Sequence, residues 1–384
     1  MHSVSDRAKK IPKSGIRKFF ELTLGMDDVI SLGVGEPDFV TPWHIREACM
    51  YALEKGYTMY TSNYGLLELR EVISGYIKEY GITYNPESEI LVTVGVSEGF
   101  DLAIRATINP GDEVIIPEPC YVSYKPCTVL AGGKPVPIPT KVENDFKLLP
   151  EDIEERITKK TKALVLSYPN NPTGAVMTKK ELEAIADIVN EHDILVISDE
   201  VYDRLTYEGK HTCFAALNGM QDKCIYLNGL SKSHAMTGWR IGYAACNPEI
   251  IEAMLKIHQY AALCAPITAQ MAAIEALRRG ERPLKEMVTE YNHRRRVIVK
   301  RLNEIGLSCF EPKGAFYAFP SIESTGLSSE EFSEGLLKEE KVAVVPGDVF
   351  GDAGKGFVRC AYAASMDDIL EAVTRMGRFS KKLL

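Results

Sequence analysis

Lys232 stands alone in the run "NGLSKSHAMTGWRIGY" (residues 228–243), among small, hydroxyl and apolar side chains, with no acidic neighbour and with Arg240 following. Lysines on solvated helices usually keep acidic company, so this amine is either part of an ordinary loop or retained for chemistry. Asp199 ends the apolar run "DILVISDE", Asn171 lies in "YPNNPTG", and Tyr121 and Tyr202 each follow a strand-like run. Residues 95–99 read "GVSEG" and sit between a strand pattern and a helix pattern. In parallel α/β sheets, ligands gather beyond the carboxyl ends of the strands. These positions all follow such runs, and together they offer an acid, an amine, two tyrosines and a glycine-bearing turn.

"GVSEG" also matches the G-x-S-x-G nucleophile elbow of hydrolases, with Ser97 as nucleophile and Asp199 as a possible acid. That chemistry needs a histidine late in the chain, and none follows His293. The same turn has a second use, because backbone N–H groups at a helix N-terminus bind phosphate and Ser97 adds a hydroxyl. "GVGEPD" (33–38) begins like a dinucleotide fingerprint but carries Asp38 where the last glycine belongs. "GDAGKG" near the C-terminus lacks the spacing and final Ser/Thr of a phosphate-binding P-loop.

The elements that must position these groups alternate in type. "TPWHIREACMYALEKG" predicts a helix with a Thr cap and Pro at its first position. "LLELREVISGYIKEYG" predicts a second helix, ending at Gly81. Seven strand-like runs follow: "EILVTV", "DEVIIPE", "KPVPIP", "KALVLSYP", "DILVISDE", "CIYLNG" and "RIGYAAC". Several are continuously apolar, as strands buried on both faces must be. Helical stretches such as "TKKELEAIADIVNEHD" separate them, predicting a mostly parallel sheet covered by helices. After about residue 248 long helical segments take over, with a few late strands in "GAFYAFP", "VAVVPG" and "GFVRCAYAA", which reads as a smaller α+β unit. The basic "HRRR" at 293–296 is expected to form a solvated helix face.

Composition sets the bounds. A chain of 384 residues, 45% hydrophobic and 26% charged, has material for two domains and an ordinary globular core. A net charge of -8 argues against broad nucleic-acid or anionic-membrane binding. Nine scattered cysteines without a CxxC pair, and seven dispersed histidines, fit reduced thiols in the cytoplasm and speak against a metal site. The N-terminal residues lack the apolar core of a signal peptide, and no run approaches the roughly 20 apolar residues of a membrane span.

"ISLGVGEPDFVTP", "YTSNYGLLELR", "YPNNPTG", "SDEVY", "SKSHAMTGWRIGY", "GAFYAFP" and "GFVRCAYA", in that order, resemble the motifs of the fold-type I pyridoxal phosphate aminotransferases. The resemblance is to class I/II, the aspartate and aromatic amino acid aminotransferase group, and covers nearly the whole chain. It implies an α/β fold in which a three-layer large domain with a mostly parallel seven-stranded sheet spans residues 45–275. A small α+β domain would be formed by both chain ends, 1–44 and 276–384. The implied cofactor is pyridoxal 5'-phosphate, and the implied reaction is ping-pong. An L-amino acid, aspartate or aromatic by the early segment "SGIRKFFELTLGMDDVISLGVGEPDF", would give its 2-oxo acid and pyridoxamine phosphate. A second 2-oxo acid such as 2-oxoglutarate would then regenerate the cofactor.

The cofactor is an aldehyde and needs an amine, so the resemblance makes Lys232 its internal Schiff-base lysine. A free lysine near pKa ~10.4 is protonated at neutral pH, and a desolvated pocket with a cation such as Arg240 would lower it. Once displaced by substrate, Lys232 would move the α-carbon proton. Asp199 matches the carboxylate that keeps the pyridine nitrogen protonated. Asn171 and Tyr202 match donors to the phenolic oxygen, and Tyr121 an aromatic stacked on the ring. Val96 and Ser97, in the turn at 95–97, and Arg240 match the phosphate site, and Tyr60 a tyrosine that reaches the phosphate of the neighbouring subunit, which implies a homodimer. Arg359 matches the arginine that grips the substrate α-carboxylate, with Asn171 and the Gly35 backbone beside it; an unpaired arginine on an apolar strand is costly to bury. Gly229 departs from the pattern, since many relatives place a phosphate-binding serine there. A carbon–sulfur lyase on the same fold would share Lys232 and Asp199.

Overall fold

A computed structural model describes residues 4–13, 15–16 and 26–383. Residues 17–25, "RKFFELTLG", part of the segment read as closest to aspartate and aromatic enzymes, lie outside the described residues. Strand β1 (Ile30–Ser31) precedes the main sheet. That sheet contains β2 (Ile90–Thr93), β3 (Glu113–Glu118), β4 (Lys134–Pro139), β5 (Thr161–Leu166), β6 (Leu195–Asp199), β7 (Cys224–Gly229) and β8 (Gly242–Ala245). Four short strands follow: β9 (Tyr317–Ala318), β10 (Val342–Ala343), β11 (Val345–Pro346) and β12 (Val358–Ala361).

The seven-stranded sheet has the order β2-β8-β7-β6-β5-β3-β4. Its pairs are parallel from β7 to β4, whereas β8 runs antiparallel to both neighbours. Successive side chains of one strand feed different cores. Leu164, Leu166, Val196 and Tyr226 belong to one hydrophobic cluster, whereas Ala163, Val165, Ile197 and Ile225 belong to another. Both faces are therefore covered, which accounts for the unbroken apolar runs. β4 is the exception in sequence and place. Its prolines at 135, 137 and 139 donate nothing to a ladder, and it sits at the sheet edge, paired only with β3.

The late helices Glu281–Glu304, Ser329–Glu340 and Met366–Lys381 pack a third cluster around Tyr317, Val342 and Val358. β1 pairs in parallel with β10, through Ile30–Val342 and Ser31–Ala343, so an early segment joins a late one. β11-β12-β9 form a small antiparallel sheet.

Local signals mostly hold. Thr178 and Glu181 form a reciprocal capping box on the helix Lys179–His192. The helix Leu67–Ile77 tightens into a 3-10 turn and ends on Gly81 at φ 90°, a left-handed residue suited to glycine. Two expectations fail. Thr41 does not cap the helix Trp43–Glu54: Pro42 precedes its first residue, and the Thr41 hydroxyl instead donates to the Ala235 carbonyl at 2.5 Å. The basic run at 293–296 is a solvated face only at His293 and Arg296. Arg294 and Arg295 are 7% and 2% exposed, Arg294 paired with Asp38 and Glu290, and Arg295 with Glu208 and Glu311. These arginines are stapling elements of the fold.

Candidate active site

The carboxyl ends of β2, β5, β6 and β7 open onto one cavity of about 670 Å³, which β12 closes from the side of the late sheet. Ten expected residues line it: Gly35, Val96, Ser97, Tyr121, Asn171, Asp199, Tyr202, Lys232, Arg240 and Arg359. Two do not. Gly229, the last residue of β7, is buried behind the cavity, where a Cβ would lie 3.0 Å from the Ile241 carbonyl oxygen and from Val96. Tyr60 is 79% exposed and lies outside the lining.

Asp199 ends β6, and the pleat turns its carboxylate into the cavity while Ser198 and Glu200 point elsewhere. Burial raises its pKa from 3.8 to about 6, against the hydrogen bond from Tyr124 Oη at 2.8 Å and that from the Val201 N–H at 3.2 Å. Lys232 is shifted the other way, from 10.5 down to about 8. Burial is the largest cause, and Arg359 contributes more than Arg240, the neighbour expected from sequence. Its Nζ donates to the Gly35 carbonyl, and no acid pairs with it directly among the described residues.

The helix Val96–Thr107 starts at the cavity with no side-chain cap, which leaves its first N–H groups for a ligand. Gly95 makes this possible. Its φ of 79° is left-handed, and a Cβ there would lie 2.6 Å from Arg240 Nη2. Arg240 itself donates through Nη1 to the Thr237 carbonyl at 2.9 Å and keeps Nη2 toward the turn.

Arg359, in β12, is 1% exposed. It is not wholly unpaired. Nη1 donates to Asn171 Oδ1 at 2.8 Å and Nη2 to the Gly33 carbonyl at 2.7 Å. Nε has no partner, and no carboxylate among the described residues pairs with the guanidinium. A buried cation met only by neutral acceptors is suited to an incoming carboxylate. Because Asn171 spends its oxygen on Arg359, its NH₂ group remains a donor.

Sequence reasoning passed over Tyr124 and Tyr317. Tyr124 is 2% exposed and donates to Asp199, while the Tyr317 hydroxyl lies 2.7 Å from that of Tyr202. Tyr317 lies in "GAFYAFP" and Tyr124 three residues beyond Tyr121, but neither spacing reveals a partner. The hydrolase alternative lacks its base: no histidine lines the cavity that Ser97 faces, among the described residues.

The residues present fit pyridoxal phosphate on physical grounds. The uncapped helix start with Arg240 suits a dianionic phosphate, the buried Asp199 suits a cationic ring nitrogen, and Lys232 is an amine made available near neutral pH.

The comparisons agree with that chemistry. The aminotransferase class I and II family profile matches residues 27–376. An aspartate aminotransferase of Pyrococcus abyssi is 50% identical over 380 residues, covering 98% of both chains. An aromatic-amino-acid aminotransferase of Thermococcus litoralis is 47% identical over 384 residues, covering 99% of both. The crystal structure of an aromatic aminotransferase from Pyrococcus horikoshii superposes with a TM-score of 0.91 at 49% identity, covering 96% of this chain and 100% of that one. With the fold, the cavity and the likeness in agreement over almost the entire length, the chain belongs to the class I and II aminotransferases and is a pyridoxal-phosphate-dependent aminotransferase, acting on amino acids and 2-oxo acids.

Proposed function

We propose that this enzyme transfers the amino group of L-aspartate or an aromatic L-amino acid to a 2-oxo acid such as 2-oxoglutarate, in a ping-pong cycle. The names of the Pyrococcus abyssi and Thermococcus litoralis relatives support that donor class. The observation that carries the reading is the pairing, in one cavity, of the Lys232 amine, brought down to about 8, with the buried Arg359, whose partners are all neutral.

When bound, pyridoxal phosphate supplies an aldehyde carbon and an electron-accepting ring. Asp199 would hold a proton on the ring nitrogen by its charge. Tyr202 and the Asn171 amide group would donate to the phenolic oxygen, and Tyr121 would supply an aromatic contact to the ring. Val96, Ser97 and Arg240 would bind the phosphate. Arg359, with Asn171 and the Gly35 backbone, orients the substrate α-carboxylate, which places the α-hydrogen toward Lys232. Lys232 is then the base that takes that proton and the acid that returns it, and a pKa near 8 suits both directions at neutral pH.

The same reading includes a homodimer with shared sites. Trp43, Met50, Tyr51, Met59 and Tyr60, all between residues 43 and 60, are each 47% or more exposed, large apolar side chains that a second copy would cover. It also includes a large domain over 45–275 and a small one from 1–44 and 276–384, supported by the β1–β10 pairing. A cytoplasmic location is supported by nine cysteines that are all free. No helix of the described residues is long and apolar enough to cross a membrane.

The test mixes the holoenzyme with each amino acid in turn and follows the loss of the bound cofactor's visible absorbance. Aspartate or the aromatic amino acids should react fastest, and release of ammonia and pyruvate without an acceptor would instead indicate a lyase. Lys232→Ala should abolish the absorbance change and nearly all turnover; retained turnover would overturn the role of Lys232.

A further inference from the structure

We infer that Tyr317 is a positioning residue that ties the Tyr202 hydroxyl to the Arg359 guanidinium, coupling the cofactor side of the cavity to the substrate-carboxylate side. The inference rests on the roles proposed above for Tyr202 and Arg359.

Tyr317 is fully buried in β9, next to β12 in the small sheet, where it is the register partner of Ala361. Its hydroxyl lies 2.7 Å from Tyr202 Oη. Its ring centroid lies 4.5 Å from Arg359 Cζ, and Phe350 stands 4.9 Å from the same atom. The guanidinium therefore has two aromatic neighbours, and the Asn171 oxygen and Gly33 carbonyl fix its fork. One side chain touches both halves of the site.

The direction of the Tyr202–Tyr317 hydrogen bond follows from proton counting. A tyrosine hydroxyl has one proton to give. If Tyr202 donates that proton to the phenolic oxygen of the bound cofactor, it must accept the proton of Tyr317. A hydroxyl that accepts in this way is a stronger donor, because chains of hydrogen bonds polarise one another. Gly35 agrees with the arrangement: a Cβ there would stand 2.8 Å from Tyr317 Oη, so any side chain would displace that hydroxyl.

The two functions of Tyr317 sit on different parts of the side chain and can be separated. Tyr317→Phe keeps the ring and removes the proton donor. It should raise the Kd of the apoenzyme for pyridoxal phosphate by ~3–10-fold, the value of one ordinary hydrogen bond, and shift the pH dependence of the bound cofactor's absorbance. KM for the amino donor should stay within about two-fold. Tyr317→Leu also removes the ring and should raise that KM by ~3–30-fold, the range of a desolvated cation–π contact. Gly35→Ala, which leaves both parts of Tyr317 in the chain but pushes the hydroxyl aside, should reproduce the cofactor effect of Tyr317→Phe, and Tyr317→Met, which fills more of the space without an aromatic face, tests the KM effect should the leucine variant not fold. Unchanged cofactor affinity and absorbance in Tyr317→Phe would overturn the inference, as would an equal rise of KM in the phenylalanine and leucine variants. Neither outcome would touch the broader assignment, which depends on Lys232→Ala.

Discussion

The buried hydroxyl of Tyr124 donates to Asp199 Oδ2 at 2.8 Å, while the Val201 N–H serves the other carboxylate oxygen at 3.2 Å. Both bonds favour the ionised carboxyl, yet burial outweighs them and leaves Asp199 at about 6. Lys232 is displaced in the opposite sense, to about 8. Each charged form is thus held at a cost by its surroundings, and a ligand that brings a cation to Asp199 and a carbonyl to Lys232 relieves both.

Replacing the acid should therefore stabilise the apoenzyme while weakening cofactor binding. The folded-state pKa of Asp199 is above its unfolded value, so its contribution to stability is fully present below pH ~3.8 and is lost as pH rises through about 6. Asp199→Asn carries no such titration. Its apoenzyme should unfold at a higher temperature than the wild type above pH 6, by up to about 3 kcal/mol in stability. The advantage should shrink as pH falls from 6 toward 4. The same variant should bind pyridoxal phosphate at least ~10-fold more weakly, the worth of a buried charged partner. Thermal unfolding of both apoenzymes across this range, together with cofactor titration at pH 7.5, checks the two halves separately. An apoenzyme destabilised at all pH values would show that Asp199 is chiefly a structural cap.

Gly95→Ala should damage phosphate binding as well as the fold. The φ of 79° with ψ of 166° is a backbone conformation nearly confined to glycine and costs an alanine ~1–3 kcal/mol. The added Cβ would also meet Arg240 Nη2 at 2.6 Å. A guanidinium at the end of a flexible side chain can swing away, so the clash is relieved by moving the cation off the turn. Pyridoxal phosphate affinity should fall ~10-fold or more, since a charge-assisted bond to phosphate is at stake. Pyridoxal without its phosphate should bind the variant and the wild type alike. An equal loss for both ligands would place the damage elsewhere in the cavity.

The seven strands were legible because a sheet covered on both faces writes continuous apolar runs. Lys232, Asp199 and Asn171 stood out because they follow such runs and Arg359 because it interrupts one, whereas their separate roles came only from the resemblance to the family. What escaped is whatever depends on a distant partner. Tyr124 finds Asp199 across 75 residues and Tyr317 finds Tyr202 across 115, and an aromatic in an apolar context looks like packing until its hydroxyl has a partner. Arg294 read as solvated because the local Glu290 is the partner an exposed helix face would give it, while its second counter-ion, Asp38, lies 256 residues away. Thr41 read as a helix cap because its acceptor, the Ala235 carbonyl, is 194 residues distant. Short-range chemistry such as the Thr178–Glu181 capping box suffers no such loss.

Tyr60 lies outside the cavity of its own chain and is 79% exposed, close in sequence to the exposed Trp43, Met50 and Tyr51 on the surface proposed to meet a second copy. If two copies meet through that face and each lends Tyr60 to the other's phosphate, defects in different residues should complement. Lys232→Ala and Tyr60→Ala homodimers should each be nearly inactive at limiting cofactor. In a hybrid of the two, one site combines an intact Lys232 with the intact Tyr60 of the other chain, whereas its counterpart carries both lesions. Random exchange after co-refolding equal amounts makes half of the dimers hybrids, so activity should recover to about a quarter of the wild-type value. Self-contained sites would give only the average of the two parents, and a mixture that stays at that average while sedimenting as dimers would sink the shared-site arrangement.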